Sequence, residues 1–340
     1  MINKITVLVH GPYSGNKYNE IFYNLQKSQK IISEIVISTY EKDIEKTNNI
    51  VKSLKLSVPI KISTTKDLIN PGYFNLNRQI ICVQNGLKEL PNDSMVVKLR
   101  NDQWINLKKL YKIIQKEFGK KESHRIITTN CFTRKDRFYH PSDMFLSGWC
   151  YDLKNYYSLP LQEKSHLNFQ FEMIRKLKQT HCTFNEILVS PESELFKNYL
   201  LKNNWELKYT DSDSFSSIKQ YMKVINTWDI SLKWGKKRNA ILPANTIILP
   251  YHFKLQPFPN APKENAICYS RSDFEGRKNI KDLFYLSISW IFFEIEFNTN
   301  YYNYKQKWIK RIKKLYYSRC FPNFMRQTIY TIYKRRKNKK

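Results

Sequence analysis

The sequence predicts an α/β fold: an open, mixed but largely parallel sheet flanked by helices, followed by a basic, helical C-terminal extension. Three observations support this prediction. Short β-rich segments alternate with helix-compatible segments through the first 150 residues, as in sheets built from strand-helix units. Hydrophobic residues make up 41% of the 340 residues, which is enough to bury a large core and excludes a disordered chain. The last forty residues contain fourteen Lys and Arg and no Asp or Glu.

Five strands are expected in the first 130 residues. Each is a short β-rich run bounded by turn residues or helical segments, and they occupy residues 5–9, 34–39, 59–64, 95–99 and 125–130. In an open sheet built from such units, the ligand site lies beyond the carboxyl ends of the strands. The segments that follow these strands are therefore the first place to look for functional residues.

Helices are expected between the strands and after them. Apolar residues recur at intervals of four, three and four within residues 76–87, which indicates a helix. Asn106 stands just before the periodic segment 107–118 and is expected to cap it. Residues 190–192 (Ser-Pro-Glu) place a capping residue, a first-turn proline and an acid at a helix start.

Three regions are distinguished along the chain. Residues 1–210 are predicted to form the sheet domain, and residues 301–340 to form basic amphipathic helices. Five prolines fall within residues 243–262, so residues 211–300 are expected to be an irregular, proline-rich region packed on the first.

The charge favours an anionic partner. The chain has 58 Lys and Arg against 29 Asp and Glu, a net charge of +29. Such a chain is attracted to nucleic acid, an anionic membrane surface or a phosphorylated substrate. No uncharged apolar run reaches about 18 residues, which excludes a membrane-spanning helix. The six cysteines form no CxxC pair, so a structural zinc site is not expected.

The C-terminal tail, residues 301–340, combines this charge with an aromatic stripe. Aromatic and apolar residues recur at helical spacing from Tyr301 to Leu315, with basic residues between them. This pattern is typical of an amphipathic helix at a membrane interface, where each basic residue contributes roughly 1 kcal/mol near an anionic leaflet. We therefore expect the tail to bind an anionic membrane surface. The alternatives are a helix packed on the domain and a tail that binds single-stranded nucleic acid, for which no RNP, KH or helix-turn-helix signature is found.

Candidate ligand-binding residues follow the first and fourth strands and open a helix. Asp102 is placed to hold a divalent cation, Mg²⁺ or Mn²⁺, that bridges nucleotide phosphates; the alternative is a solvated turn aspartate. Asn77 and Arg78 are placed to face a phosphate. The alternative is that they lie on a solvated face of the helix. Gly11-Pro12 forms a turn where the backbone approaches a base or ribose, although such a turn is also an ordinary strand exit.

Candidate catalytic residues lie in the following loops. Asp143 and His140 are candidates for a general base that deprotonates an acceptor hydroxyl, and the alternative for Asp143 is a turn cap. Glu192 is a further candidate base, and its alternative role is to complement the helix dipole. No GxSxG and no GxxxxGK[ST] motif occurs, which excludes those serine-hydrolase and P-loop signatures.

Several short motifs together resemble a known family. In chain order they are Gly11-Pro12, Ile37-Ser38-Thr39-Tyr40, Asn75-Leu76-Asn77-Arg78-Gln79, Gly86-Leu87, Lys98-Leu99-Arg100-Asn101-Asp102, Pro141-Ser142-Asp143 with Gly148, and Ser190-Pro191-Glu192. Their order and spacing over about residues 5–205 resemble the WavE-type lipopolysaccharide-synthesis family of bacterial glycosyltransferase-like proteins. Beyond residue 210 no resemblance is found.

The resemblance implies a fold similar to the GT-A glycosyltransferases, a Rossmann-like sheet with a nucleotide-sugar donor over its first strands. It implies that residues 1–210 form the catalytic domain and that Asp143 or Glu192 lies near the acceptor, with Asp102 as the candidate metal ligand. The donor site would be lined by Gly11, Pro12, Thr39, Asn77, Arg78, Arg100 and Asp102.

Two positions depart from the family pattern. An acidic pair usually precedes Pro-Gly, whereas this chain has Ile69-Asn70, and Tyr40 replaces a tryptophan. The first departure leaves a metal without its second carboxylate unless Asp67 supplies one.

The expected function is glycosyl transfer from a nucleotide sugar to a growing, lipid-linked or oligosaccharide acceptor at the cytoplasmic face of the membrane. The product would be a surface glycan, the O-antigen or core of lipopolysaccharide or a capsule. The alternatives are a nucleic-acid-binding protein that uses the basic tail, and a catalytically silent scaffold of glycan assembly.

Overall fold

A computed structural model describes residues 2–13, 15–54, 56–119, 123–135, 137–163 and 190–234, together with 252–254, 265–267, 269–276, 280 and 282. The predicted basic tail, residues 301–340, lies outside the described residues, and so does most of the proline-rich region. Within the described part, no helix is both long and apolar enough to cross a bilayer. The domain boundaries at residues 210 and 300 stay predictions.

Seven strands form one sheet. They are β1 (Ile5–His10), β2 (Ile32–Tyr40), β3 (Ile60–Thr65), β4 (Met95–Arg100), β6 (Ile126–Thr129), β7 (Phe145–Trp149) and β8 (Met222–Ile225), in the order β3-β2-β1-β4-β7-β6-β8. Strand β7 runs antiparallel to β4 and β6, and the other neighbouring pairs are parallel. The prediction of an open, mixed α/β sheet is confirmed.

Two small sheets accompany the main one. Strand β5 (Gln103–Trp104) pairs antiparallel with β9 (Lys233–Trp234), and β10 (His252–Lys254) pairs antiparallel with β11 (Asn265–Ile267). The first of these pairs joins the segment just after β4 to a segment beyond residue 230.

The helices fill the connections between strands. Those described are α1 (Asn16–Lys27), α2 (Ile44–Ser53), α3 (Leu76–Lys88), α4 (Leu107–Phe118), α5 (Cys150–Tyr156), α6 (Pro191–Lys202), α7 (Asp211–Tyr221) and α8 (Arg271–Glu275). The two predicted caps are confirmed. The Asn106 side chain accepts a hydrogen bond from the Lys109 amide at 3.1 Å, and the Ser190 hydroxyl accepts one from the Ser193 amide at 3.2 Å.

The core lies on both faces of the sheet because alternate strand residues point to opposite sides. Leu8, Val36 and Val96 belong to the buried cluster that includes residues of α3, α5 and α6. Helix α3 approaches this face closely at Gly86, where a Cβ atom would lie 2.4 Å from Leu8 Cδ1. This tight packing holds the last turns of α3 against the middle of β1.

The sheet extends past residue 210, because α7 and β8 complete its edge. A buried hydrogen-bond network holds this edge to residues still later in the chain. Asp282, 1% exposed, accepts from Asn226 Nδ2 and Trp228 Nε1, each at 3.0 Å, and from an Arg271 terminal nitrogen at 2.8 Å. Arg271 and Asp282 are therefore part of the same structure as the sheet.

Replacing Asp282 by alanine is expected to lower the free energy of unfolding by about 2 to 3 kcal/mol, because three donors lose their buried acceptor. The loss is limited because Arg271 keeps its ion pair with Asp229 at 3.0 Å. Urea unfolding checks this value. The exposed Glu206 supplies the control, since Glu206→Ala should change stability by less than about 0.5 kcal/mol. Equal stability of the two variants would contradict the predicted effect.

Candidate active site at the carboxyl edge of the sheet

The parallel strands place their C-terminal residues at one edge of the sheet. Strands β1, β2, β3, β4 and β6 end there, and the antiparallel strand β7 begins there. The segments after β1 and β4 and before β7 contain Gly11, Asp102 and Asp143 respectively. Topology thus brings residues that are far apart in sequence to one edge.

The turn after β1 needs a glycine. Gly11 has a φ of 122°, which favours glycine, and its amide donates to the Ser38 carbonyl at 3.0 Å. A Cβ atom at this position would lie 3.2 Å from the side chain of Asn101. Pro12 is exposed, whereas Thr39 is fully buried, and its hydroxyl has no hydrogen-bond partner among the described residues.

Arg100 and Asp102 form a two-point ion pair at the end of β4. Arg100 Nε lies 3.1 Å from Asp102 Oδ1, and a terminal guanidinium nitrogen lies 3.1 Å from Oδ2. The Asp102 side chain is 8% exposed and that of Arg100 is 30% exposed. Asp102 therefore holds the guanidinium in a fixed orientation while one part of it remains open to solvent.

This donor set does not fit a divalent cation. Both Asp102 oxygens contact Arg100, and the candidate second carboxylate, Asp67, is also engaged by cations. Asp67 Oδ2 lies 2.5 Å from Lys42 Nζ, and Oδ1 lies 2.7 Å from Arg78 Nε. Burial opposes the ionised form, but these hydrogen bonds hold the pKa of Asp67 below its usual value. Within the described residues, no three His, Cys, Asp or Glu side chains cluster as a metal site.

Lys98 is a buried lysine in the middle of β4, to which the sequence analysis assigned no role. It is fully buried, its ammonium donates to the Asp143 carbonyl at 2.5 Å, and it lies 5.6 Å from the centre of the Tyr157 ring. Burial, helped by Arg100, lowers the pKa of Lys98 to about 8, while Asp143 and Asp102 oppose the shift. A lysine within an otherwise apolar strand is the only sequence signal for this arrangement.

His10 lies beside this lysine, in register with Arg100 across the β1-β4 pair. Burial, followed by the charges of Lys98 and Arg100, keeps the pKa of His10 well below its usual value. The ring is therefore neutral at pH 7. Its Nε2 atom is buried and has no hydrogen-bond partner in the described part of the chain.

Asp143 is held by side chains of two elements, α3 and β4. Its Oδ2 atom accepts a hydrogen bond from Gln79 Nε2, in α3, at 2.5 Å, while Lys98 of β4 holds its backbone carbonyl. Gln79 Nε2 also lies 3.3 Å from the hydroxyl of Tyr157, the residue after α5. These contacts fix the Asp143 carboxylate in one orientation.

Glu192 lies in the first turn of α6 and interacts with Asp143. Burial and then the negative charge of Asp143 raise the pKa of Glu192 to about 7, although Arg137 and Arg134 oppose the shift. Its carboxylate is 24% exposed and lies 3.7 Å from His140 Nε2. Near neutral pH the Glu192 carboxyl is therefore protonated in part of the molecules and ionised in the rest.

His140 is poorly suited to carry a proton at neutral pH. It is buried, and its Nδ1 atom lies 2.9 Å from the Phe132 carbonyl, to which it donates. Burial, then Arg137 and Arg134, keep its pKa well below its usual value. The neutral ring instead lies beside Glu192, with its Nε2 atom 3.7 Å from the Glu192 carboxylate.

Asn77 and Arg78 form a second cluster at the start of α3. The Asn77 amide nitrogen donates to the Gln162 carbonyl at 2.8 Å, and its oxygen accepts from the Gln162 amide at 2.6 Å. Arg78 contacts Asp67 and, at 3.2 Å, Asn75. The structure thus groups Arg100, Asp102, Asp143 and Glu192 around Lys98, and places Asn77 and Arg78 among residues 67–75 and 162.

Comparison with solved structures gives distant matches. 4-diphosphocytidyl-2C-methyl-D-erythritol synthase from Anaerococcus prevotii is 12% identical and covers 66% of this chain and 90% of its own, with a TM-score of 0.35. HddC from Yersinia pseudotuberculosis is 10% identical and covers 47% and 82%, with a TM-score of 0.33. Mouse xyloside xylosyltransferase 1 is 8% identical and covers 65% and 84%, also with a TM-score of 0.33. No curated protein matches the sequence.

One family model matches most of the sheet domain. The model for WavE lipopolysaccharide synthesis covers residues 5–229, from the start of β1 to four residues beyond β8. It spans well over half of the 340 residues and contains every candidate site residue named above. The chain therefore belongs to the WavE lipopolysaccharide synthesis family.

Proposed function

We propose that this protein is a glycosyltransferase that moves a sugar from a nucleotide-sugar donor to a growing glycan during lipopolysaccharide synthesis. The observation that carries the proposal is a group of charged side chains at the carboxyl edge of the sheet. Arg100 pairs with Asp102, Lys98 donates to the Asp143 carbonyl, and the charge of Asp143 acts on the pKa of Glu192. The cations suit a diphosphate, and the carboxylates of Asp143 and Glu192 suit an acceptor hydroxyl.

The donor is proposed to lie over β1, β2 and β4. The Gly11-Pro12 turn brings backbone close to the nucleoside, and Thr39 and Arg100 lie on the adjoining strand ends. The Arg100 side chain is 30% exposed and is oriented by Asp102, which suits contact with phosphate oxygens. A role for Asn77 and Arg78 in binding the same donor remains a prediction.

The acceptor is proposed to bind beside Asp143 and Glu192. Its hydroxyl oxygen forms a bond to the anomeric carbon while the bond from that carbon to the diphosphate oxygen breaks. The electron pair leaves with the nucleoside diphosphate, and the hydroxyl proton passes to Glu192. A carboxylate with a pKa near the working pH is an effective general base, and the ionised Asp143 would stabilise positive charge at the anomeric carbon.

Turnover is expected to fall as the pH drops through about 7, because Glu192 must be ionised to accept the proton and its pKa is about 7. Asp143→Asn removes the negative neighbour that raises this pKa, so the acid limb of the pH profile should move to lower pH. The exposed Asp93 supplies the control, since Asp93→Asn should leave the limb in place. An acid limb that stays near pH 7 in Asp143→Asn would argue against an effect of Asp143 on the pKa of Glu192.

A panel of nucleotide sugars tests the function. Each is incubated with the protein and membrane extract, and release of the nucleotide is measured. Turnover of one donor that depends on the extract supports transfer to a glycan acceptor. Binding of donors without turnover under all conditions would favour the catalytically silent scaffold.

Membrane attachment through residues 301–340 is part of the proposal and is tested separately. Full-length protein and a chain that ends at residue 300 are sedimented with anionic and neutral liposomes. Attachment at the inner face requires that only the full-length protein sediments, and only with anionic liposomes. Tight, salt-sensitive binding of single-stranded nucleic acid by the tail would favour the alternative function.

A further inference from the structure

We propose that the donor diphosphate is bound by side-chain cations instead of a divalent metal ion. In this arrangement the guanidinium of Arg100, aligned by Asp102, contacts the phosphates. Lys98, whose ammonium is buried beneath them, is a positioning residue. The inference rests on the proposed function, because the diphosphate belongs to the nucleotide-sugar donor. It specifies how that donor is held.

The first argument is the state of the carboxylates. A divalent cation at this edge would need oxygen ligands, usually including one or two carboxylates. Both oxygens of Asp102 are 3.1 Å from Arg100, and the oxygens of Asp67 contact Lys42 and Arg78. Cationic groups thus occupy the carboxylates that a metal would require.

The second argument is the charge built into β4. Lys98 and Arg100 are two residues apart, so their side chains project from the same face of the strand, with about 7 Å between their Cα atoms. Lys98 is fully buried, and its one hydrogen bond to an acceptor among the described residues goes to the Asp143 carbonyl. A buried ammonium without a directly bonded carboxylate is costly. A nearby diphosphate would offset this cost, which gives the buried charge a function.

The third argument is the neighbouring His10. The residue is 6% exposed and in register with Arg100, and its Nε2 atom has no hydrogen-bond partner among the described residues. An unsatisfied buried polar atom calls for an explanation. A ligand polar group at this edge would supply its missing partner. The two cations of β4 thus point to an anionic ligand, and His10 points to a ligand with a polar group at the same edge.

The test is calorimetric titration of the full-length protein with inorganic pyrophosphate and a panel of nucleoside diphosphates, in EDTA and then with Mn²⁺. Binding in EDTA is expected for pyrophosphate and for at least one nucleoside diphosphate. Arg100→Met should weaken it about tenfold to a hundredfold, because a charge-assisted contact is lost. Lys98→Met should weaken it less. Lys112→Met, on the exposed face of α4, should bind as the native protein does.

Thermal unfolding separates a charge role for Lys98 from a purely structural one. Lys98→Met removes a buried charge but leaves the Asp143 carbonyl without its partner, and these effects oppose each other, so the Tm should change little. A much lower Tm with unchanged pyrophosphate affinity would assign Lys98 to the core alone and overturn its part in the proposal. Lys98→Arg, which keeps the charge, should recover affinity.

The metal dependence distinguishes this inference from the proposed function. Diphosphate binding and sugar turnover that both require Mn²⁺ would overturn the inference and leave the glycosyltransferase proposal intact. Metal-free diphosphate binding without turnover of any nucleotide sugar would support the inference and count against the proposed activity. If the native protein does not bind pyrophosphate in EDTA, and Arg100→Met binds it in Mn²⁺ as tightly as the native protein does, the proposed roles of Arg100 and Lys98 are rejected.

Discussion

Replacing Glu192 by glutamine is expected to lower kcat about 10²- to 10⁴-fold, the usual contribution of a general base. Glutamine has nearly the same shape but cannot accept the acceptor proton. Donor binding should change little, because the proposed contact with the diphosphate is made by Arg100 and not by Glu192. The measurement is nucleotide release under saturating donor across pH, together with calorimetric donor affinity.

The pH profile makes this prediction specific. In the native protein the acid limb reports the carboxyl whose pKa is about 7, and in Glu192→Gln that limb should disappear along with most of the rate. Glu194 lies in the same first turn of α6 and pairs with Lys197, so Glu194→Gln is the matched control with native rate and pH profile expected. A native profile in Glu192→Gln would assign the base to another residue.

Replacing Asp102 by alanine is expected to lower kcat/KM for the donor about 10²-fold, because two charge-assisted hydrogen bonds that orient Arg100 are lost. The loss should appear mainly as weaker donor binding, in KM more than in kcat. The fold should survive, since the Arg100 side chain is 30% exposed and water can solvate the freed guanidinium. Circular dichroism and thermal unfolding check the fold.

Two further variants sharpen the role of Asp102. Asp102→Asn keeps one acceptor oxygen and should lose less turnover than Asp102→Ala. The exposed Asp93, just before β4, gives the control Asp93→Ala, with native turnover expected. Full activity of Asp102→Ala would remove both Asp102 and its orientation of Arg100 from the donor site. Recovery of the alanine variant by added Mn²⁺ would contradict the cation-based proposal.

Much of the fold could be predicted because local signals and tertiary structure agree. The first four strands have β-branched, apolar sequences, and the helices after Asn106 and Ser190 begin with caps that form as expected. Strand β7 had no such signal. It is five residues long and contains Gly148. Its place between β4 and β6 depends on long-range pairing that the sequence does not express locally.

Strand β8 and its hydrogen-bond network were missed for a related reason. The strand has only four residues and follows a polar helix, so its apolar pattern is too short to identify. Asp282 lies far along the chain, and nothing near it in sequence reveals that it bonds to Asn226 and Arg271. Such contacts become visible only when the sheet edge is assembled.

The position of a candidate site residue could be predicted from the sequence where that residue directly follows a strand. This rule placed Gly11 and Asp102 at the carboxyl edge. It could not show that both oxygens of Asp102 contact Arg100, because ion pairing depends on side-chain geometry. Lys98 was missed because a lysine in a strand is usually exposed, and its burial depends on packing near Tyr157.

The antiparallel direction of β7 keeps the β6-β7 connection at one edge of the sheet. Because β6 ends and β7 begins at the same edge, the chain leaves the sheet after Thr129 and returns to it at Phe145 without crossing to the other side. Exposed loops commonly tolerate changes in length, but in this connection Tyr139 and Ser142 are buried, and the Arg134 amide donates to the His140 carbonyl at 2.9 Å. An insertion or deletion here would therefore disturb packed residues, while the β1-β4 pair keeps its register. Sequence drift is expected to be slower in this connection than in an ordinary surface loop.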